Sequence, residues 1–138
     1  MGFTALSFYC ASKFAVEGYS EALATEVGPL GIHITLVEPG GFRSDFAGPS
    51  LVTAVNDDSD YAPVNQHIAG YVRSRHGNQE NDPGKFGPAM CALVDAEKPP
   101  LRLPLGKACI ASMRANLQTV SEEIDHWEAL SLSTMVEG

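Results

Sequence analysis

Tyr9 and Lys13 stand four residues apart in the run Tyr9-Cys10-Ala11-Ser12-Lys13. At helical spacing such a pair lies one above the other on a single face. An ammonium held beside a phenol favours the phenolate, because a nearby opposite charge stabilises the ionised form. A phenol in that setting can pass a proton to or from a substrate oxygen. Lys13 is the only Lys or Arg before Arg43, so it is not one member of a solvated charge stripe. Ala11, Ala15, Gly18 and Ala22 around it are small, which lets another element or a ligand approach closely. Spacing alone does not assign the chemistry: Tyr71 and Arg75 repeat it, and there it reads as a surface contact.

The pair needs a helix to hold it. The pattern predicts one from Ser7 or Phe8 to Val27, with Phe14, Gly18 and Ala22 on one face and Ala15, Tyr19 and Leu23 beside them. Glu17, Ser20, Glu21 and Glu26 are placed toward solvent, and Gly28-Pro29 ends the helix. Ile32 to Val37 alternates and is β-branched, so it reads as a strand with Ile32, Ile34 and Leu36 inward. Helix, short turn and strand make half of a parallel-sheet unit. Glu38-Pro39-Gly40-Gly41 stops the strand at the end where α/β sheets usually bind ligands, and two glycines let backbone come close to whatever sits there.

Downstream, Phe42 to Ser59 reads as a loop and Tyr61 to Arg75 as a helix with Val64, Ile68 and Tyr71 on its apolar face. Gly77 to Asn81 is a second loop. Asp82-Pro83 caps a helix that runs to about Glu97 and buries Phe86, Ala89, Met90 and Leu93, with Gly87-Pro88 kinking or delaying it. Pro99-Pro100 precedes a short strand, Leu101 to Leu103. Gly106 opens a long helix to about Leu130, whose apolar positions Ile110, Met113, Leu117, Val120, Ile124 and Trp127 predict core packing. Glu122, Glu123, Asp125 and Glu128 form its solvated face, and residues 131 to 138 fray.

The 138 residues suffice for one domain with a core, and no repeat or linker divides them. A net charge of −8 disfavours nucleic-acid and anionic-membrane partners, both of which need a basic face. No apolar run approaches a membrane span, and Met1 to Leu6 lacks a signal peptide's basic start. Cys10, Cys91 and Cys109 are odd in number and widely spaced, which fits reduced thiols in a cytoplasmic protein. His33, His67, His76 and His126 show no metal-ligand spacing, so no metal site is expected.

With the Tyr9–Lys13 helix, the strand and the Pro39-Gly40 loop in order, the sequence resembles the C-terminal half of a short-chain dehydrogenase/reductase. Residues 7 to 46 carry the resemblance, and it continues more weakly to about residue 130. It implies an α/β fold: the C-terminal portion of a Rossmann-like, doubly wound parallel sheet, with two recognisable strands and about four helices. The chain would be a single partial domain, with 7–46 the catalytic helix, strand and Pro-Gly loop, 47–77 the substrate lid region and 82–130 a helix-strand-helix. It would serve hydride transfer between NAD or NADP and an alcohol or carbonyl substrate. Tyr9 would be the general acid/base. Lys13 would hydrogen-bond the nicotinamide ribose and tune the tyrosine. Pro39, Gly40, Gly41 and Phe42 would line the nicotinamide through backbone groups, and Ser44 keeps a hydroxyl where the family usually has threonine.

The family's glycine-rich dinucleotide fingerprint has no counterpart here; Gly84-Lys85-Phe86-Gly87 follows no predicted strand. The family's catalytic serine would fall before Met1, Ser7 is too close to Tyr9 to replace it, and the catalytic asparagine is missing. The chain alone is therefore expected to bind dinucleotide poorly and to show little activity. The alternative is a non-catalytic remnant that acts as an interaction module, forming a homo-oligomer or pairing with a full-length relative through its apolar helix faces.

Overall fold

The computed structural model describes residues 1–44 and 59–136. Its helices are α1 (Ser7–Val27), α2 (Ala62–Arg75), α3 (Phe86–Val94) and α4 (Lys107–Leu132). Two strands, β1 (Leu36–Pro39) and β2 (Arg102–Leu105), pair in parallel with Leu36 opposite Arg102 and Pro39 opposite Leu105. The chain is thus α/β, with a small parallel sheet and four α-helices among the described residues. Residues 45–58, which include the first part of the expected 47–77 lid region, lie outside the described residues, as does the side chain of Ile68. Among the described residues no helix is long and apolar enough to cross a membrane.

α1 starts and ends where its pattern places it, but Gly28 is still helical (φ −53°) and continues into a 3-10 turn, Gly28–Leu30. The left-handed residue that turns the chain is Gly31, at φ 76°. Ile32 to Thr35 is not strand, although it alternates. Leu36 N–H donates to the Leu101 carbonyl at 2.7 Å and Gly40 N–H to the Leu105 carbonyl at 2.8 Å, which bounds the ladder. Upstream of β2 stand Pro99 and Pro100, which have no N–H to extend it. Thr35 instead donates its hydroxyl to the Pro100 carbonyl at 2.6 Å. β2 extends past the expected Leu103 and includes Pro104. In a parallel ladder alternate residues face the partner, so Pro104, between the acceptors Leu103 and Leu105, occupies a position that owes β1 no N–H.

The face that α1 turns to the sheet also differs from expectation. Ser20 is buried and Glu17 half-buried, whereas Phe14 and Tyr19 are 55% and 66% exposed. One guanidinium accounts for this. Arg102 on β2 reaches Glu17 at 3.1 Å and Glu21 at 2.7 Å, so the helix docks through those carboxylates and the small Ser20 between them. Cys10 and Leu36 are the buried apolar side chains among the described residues.

In the third helical region, Asp82 caps a 3-10 turn (Pro83–Lys85) by accepting from Gly84 N–H at 2.9 Å. The α-helix begins only at Phe86, which puts Pro88 in its first turn, where its missing N–H costs nothing. α3 then stops at Val94 instead of running to Glu97, and Phe86 keeps 36% exposure. α4 begins and ends close to expectation, but its apolar stripe is not covered within the chain: Leu117, Ile124 and Trp127 are 63%, 62% and 57% exposed. The geometry explains why. A helix of 26 residues spans about 39 Å, while a four-residue strand spans about 13 Å. Most of α4 therefore projects past the sheet.

Candidate active site

Tyr9 lies in the first turn of α1, and Lys13 follows one turn later. The Lys13 ammonium sits 5.4 Å from the centroid of the Tyr9 ring, and Tyr9 is 44% exposed. Arg75 stands over the Tyr71 ring at 5.1 Å, so local geometry alone does not single out the first pair. The first pair differs in standing on a helix that is ion-paired to the sheet. α1 is anchored through Glu17 and Glu21 to Arg102, which pairs with Leu36 at the start of β1. From Glu17 back to Tyr9 is about 12 Å of helix, and from Leu36 on to Gly40 about 13 Å of strand. The Tyr9–Lys13 turn thus lies about two helical turns before the anchor at Glu17, and the Pro-Gly loop one strand length beyond Leu36.

That loop is held by its own chain. A Cβ on Gly40 would come within 3.0 Å of the Leu105 carbonyl and 3.2 Å of the Cys109 Cβ, so any larger residue there makes its neighbours give by a few tenths of an ångström. Gly41 meets only the Gln79 side chain, at ordinary contact distance. Phe42 bridges Asn81 in parallel and packs edge-on against Phe86, with ring centroids 5.7 Å apart. Arg43 N–H donates to the Asn81 carbonyl at 3.0 Å, Asn81 N–H to the Gly41 carbonyl at 3.2 Å, and Arg43 Nε to the Gln79 carbonyl at 2.8 Å. Pro39 and Ser44 are exposed at either end.

A cavity of about 290 Å³ opens beside the loop, lined by Phe42, Asn81, Lys85, Phe86, Leu105 and Gly106 among others. Neither Tyr9 nor Lys13 lines it. Of the predicted loop residues Phe42 lines this cavity, and Ser44 borders a second one of about 200 Å³ with Arg43, His76, Gly77 and Gln79; the Tyr9–Lys13 pair borders neither. Glu80 and Asn81 line the first cavity and Gln79 packs beside Gly41, and the sequence gives no sign of it. Their link to Phe42 is a single backbone bridge across a long stretch of chain, which leaves no periodicity. Glu80 accepts the Ala108 N–H at 2.7 Å, so a carboxylate already occupies the positive start of α4.

Charge gathers beneath the loop. The Glu38 carboxylate lies 3.7 Å from Arg102 Nε, and its Oε2 is buried without a hydrogen-bond partner among the described residues. Burial, and then the neighbouring Glu17 charge, push its pKa above the ordinary 4.5, against the pull of Arg102. Burial, and then the Glu38 charge, also push up the Cys109 thiol, which donates to the Glu38 carbonyl at 3.2 Å. A carboxyl that holds its proton more tightly folded than unfolded favours the fold below its unfolded pKa. That advantage is lost as pH rises from about 4.5 through the raised folded value. Glu38→Gln should therefore raise Tm at pH 7, with the gain closing toward pH 4. Thermal unfolding across that range checks it, and an equal gain at both ends would contradict it.

The family model described as short chain dehydrogenase matches residues 1–53. Oxidoreductase BOA17 of Botryotinia fuckeliana is 33% identical over 134 residues, covering 97% of this chain and 48% of that protein. The 3-ketodihydrosphingosine reductase of Bacteroides thetaiotaomicron is 39% identical over 107 residues, covering 77% of this chain and 39% of the reductase. The solved structure of a short-chain dehydrogenase from Streptomyces avermitilis superimposes with a TM-score of 0.81 at 36% identity, covering 99% of this chain and 49% of that one. The chain thus spans about half the length of the relatives it matches. Motif, fold and relatives agree: the chain belongs to the short-chain dehydrogenase/reductase family.

Proposed function

We propose that this chain supplies the proton-transfer end of a nicotinamide-dependent oxidoreductase acting on an alcohol or carbonyl. The observation that carries the reading is the Lys13 ammonium 5.4 Å from the exposed Tyr9 ring, on the helix that precedes β1 and its Gly40–Phe42 loop. NAD or NADP would supply or accept the hydride. The residues present fit the nicotinamide-ribose end: Lys13 offers N–H donors to ribose hydroxyls, and Tyr9 offers a hydroxyl to the substrate oxygen. Tyr9 gives its proton to a carbonyl oxygen in reduction and takes it back in oxidation. Pro39, Gly41 and Phe42 present backbone to the ring, and the hydroxyl of Ser44 extends that wall. The name of the Bacteroides relative, a keto-group reductase, supports a carbonyl substrate.

The 138 residues contain no glycine-rich strand-turn-helix for a pyrophosphate, and Glu80 occupies the start of α4. The chain by itself should accordingly turn over little. A chimaera in which it replaces the matching part of Oxidoreductase BOA17 should oxidise or reduce nicotinamide with an alcohol or ketone from a substrate panel. A folded but inert chimaera would contradict the proposal.

The outer turns of α4 favour a second reading, association. Leu117, Ile124, Trp127 and Leu130 are each more than half exposed on one helix. Such a stripe binds another apolar surface, either a second copy or a full-length relative. The chain should elute from size exclusion well above its 14.7 kDa and bind a hydrophobic dye. A compact monomer with little dye binding would count against it.

A further inference from the structure

The geometry points to Asn81 as a positioning residue for the Pro39–Phe42 loop, acting by the shape of its side chain, wedged between Gly40 and Gly106. The inference rests on the functional reading above only in taking that loop to face the nicotinamide. β1 leaves the sheet through Gly40, and β2 turns into α4 through Gly106, at φ 98°. Between these two exits lies the Asn81 carboxamide. A Cβ on Gly106 would collide with it, and a Cβ on Gly40 would come within 3.3 Å of its Nδ2. The side chain thus fills the space that two glycines leave at the carboxyl end of both strands.

Its nitrogen gains nothing polar there: Nδ2 is buried and has no hydrogen-bond acceptor among the described residues. A group kept in place without a partner contributes by contact, not by bonding. The Asn81 backbone, meanwhile, clasps the loop on both sides, donating to Gly41 and accepting from Arg43. If the wedge moves, the clasp moves with it, and so does the backbone of Gly41 and Phe42.

Leucine has the same branched outline as asparagine and no polar atoms, so it separates shape from bonding. Site-resolved amide exchange on the full chain, with no cofactor present, tests the inference. Asn81→Ala should speed exchange of the Gly40 and Arg43 amides about tenfold or more, leave Leu117 and Val120 in α4 unchanged, and Asn81→Leu should stay within about threefold of the parent. Unchanged Gly40 exchange in Asn81→Ala would overturn the inference, as would Asn81→Leu exchanging as fast as Asn81→Ala. Titration with reduced nicotinamide mononucleotide, followed by its fluorescence, ties the wedge to the site. Binding should weaken in Asn81→Ala and recover in Asn81→Leu. If the parent chain binds none, the nicotinamide reading falls, while the exchange rates still decide the role of Asn81.

Discussion

Replacing Tyr9 by phenylalanine is expected to lower the kcat of the chimaera about 10³-fold, the size of a lost proton-transfer catalyst. The ring stays and the hydroxyl goes. The Lys13 ammonium keeps its place over the aromatic face, so the KM for the cofactor should change little. Lys13→Met should behave differently. It removes both the charge beside the phenol and the donor proposed for the ribose, so kcat should fall and the KM for cofactor rise together. A steady-state comparison of the two variants separates proton transfer from cofactor holding. Tyr9→Phe with near-parental kcat would mean that the phenol is a surface neighbour of Lys13, as Tyr71 is of Arg75.

The second large effect falls on the fold. Arg102 ties α1 to both strands, through Glu17 at 3.1 Å, Glu21 at 2.7 Å and Glu38 at 3.7 Å. The bond to Glu21 is the largest influence holding its guanidinium protonated. Arg102→Met leaves three carboxylates facing one another, one of them lacking a partner on a buried oxygen. Breaking a fully buried pair costs more, but this guanidinium is 34% exposed, so water screens part of the loss. The expected cost is about 2 kcal/mol, a fall in Tm of roughly 6–8 °C for a chain of this size. Arg102→Lys restores the charge without the fork and should lie between the two. Calorimetry at pH 7 checks the series, and an Arg102→Met chain with parental Tm would show that α1 docks by packing alone.

What the sequence revealed follows from where each signal resides. The bounds of α1 were legible because helix length and the Gly28-Pro29 stop are local properties. Its buried face was not, since Glu17 and Ser20 turn inward only because Arg102, far along the chain, supplies the partner. Ile32 to Thr35 looks like strand by composition, yet strand is a property of a pair, and Pro99-Pro100 opposite cannot complete the ladder. The apolar α4 stripe is plain in the periodicity, but periodicity states that a face seeks cover, not that cover is present. Tyr9, Lys13 and the Pro39-Gly40 turn were legible because spacing and order carry them. Asn81 was not, because its place between Gly40 and Gly106 exists only once three separate segments meet.

The central claim is that Lys13 and the Gly40–Phe42 loop face one nicotinamide. The most direct test is a nitrogen-labelled NMR titration of the chain with reduced nicotinamide mononucleotide, at the roughly millimolar concentrations a small ligand of this kind needs. Amide signals of Lys13, Gly40, Gly41 and Phe42 should move together along one binding curve, and those of α2 and the outer turns of α4 should stay still. Signals that move only in α2 or α4, or that do not move at all, would contradict it.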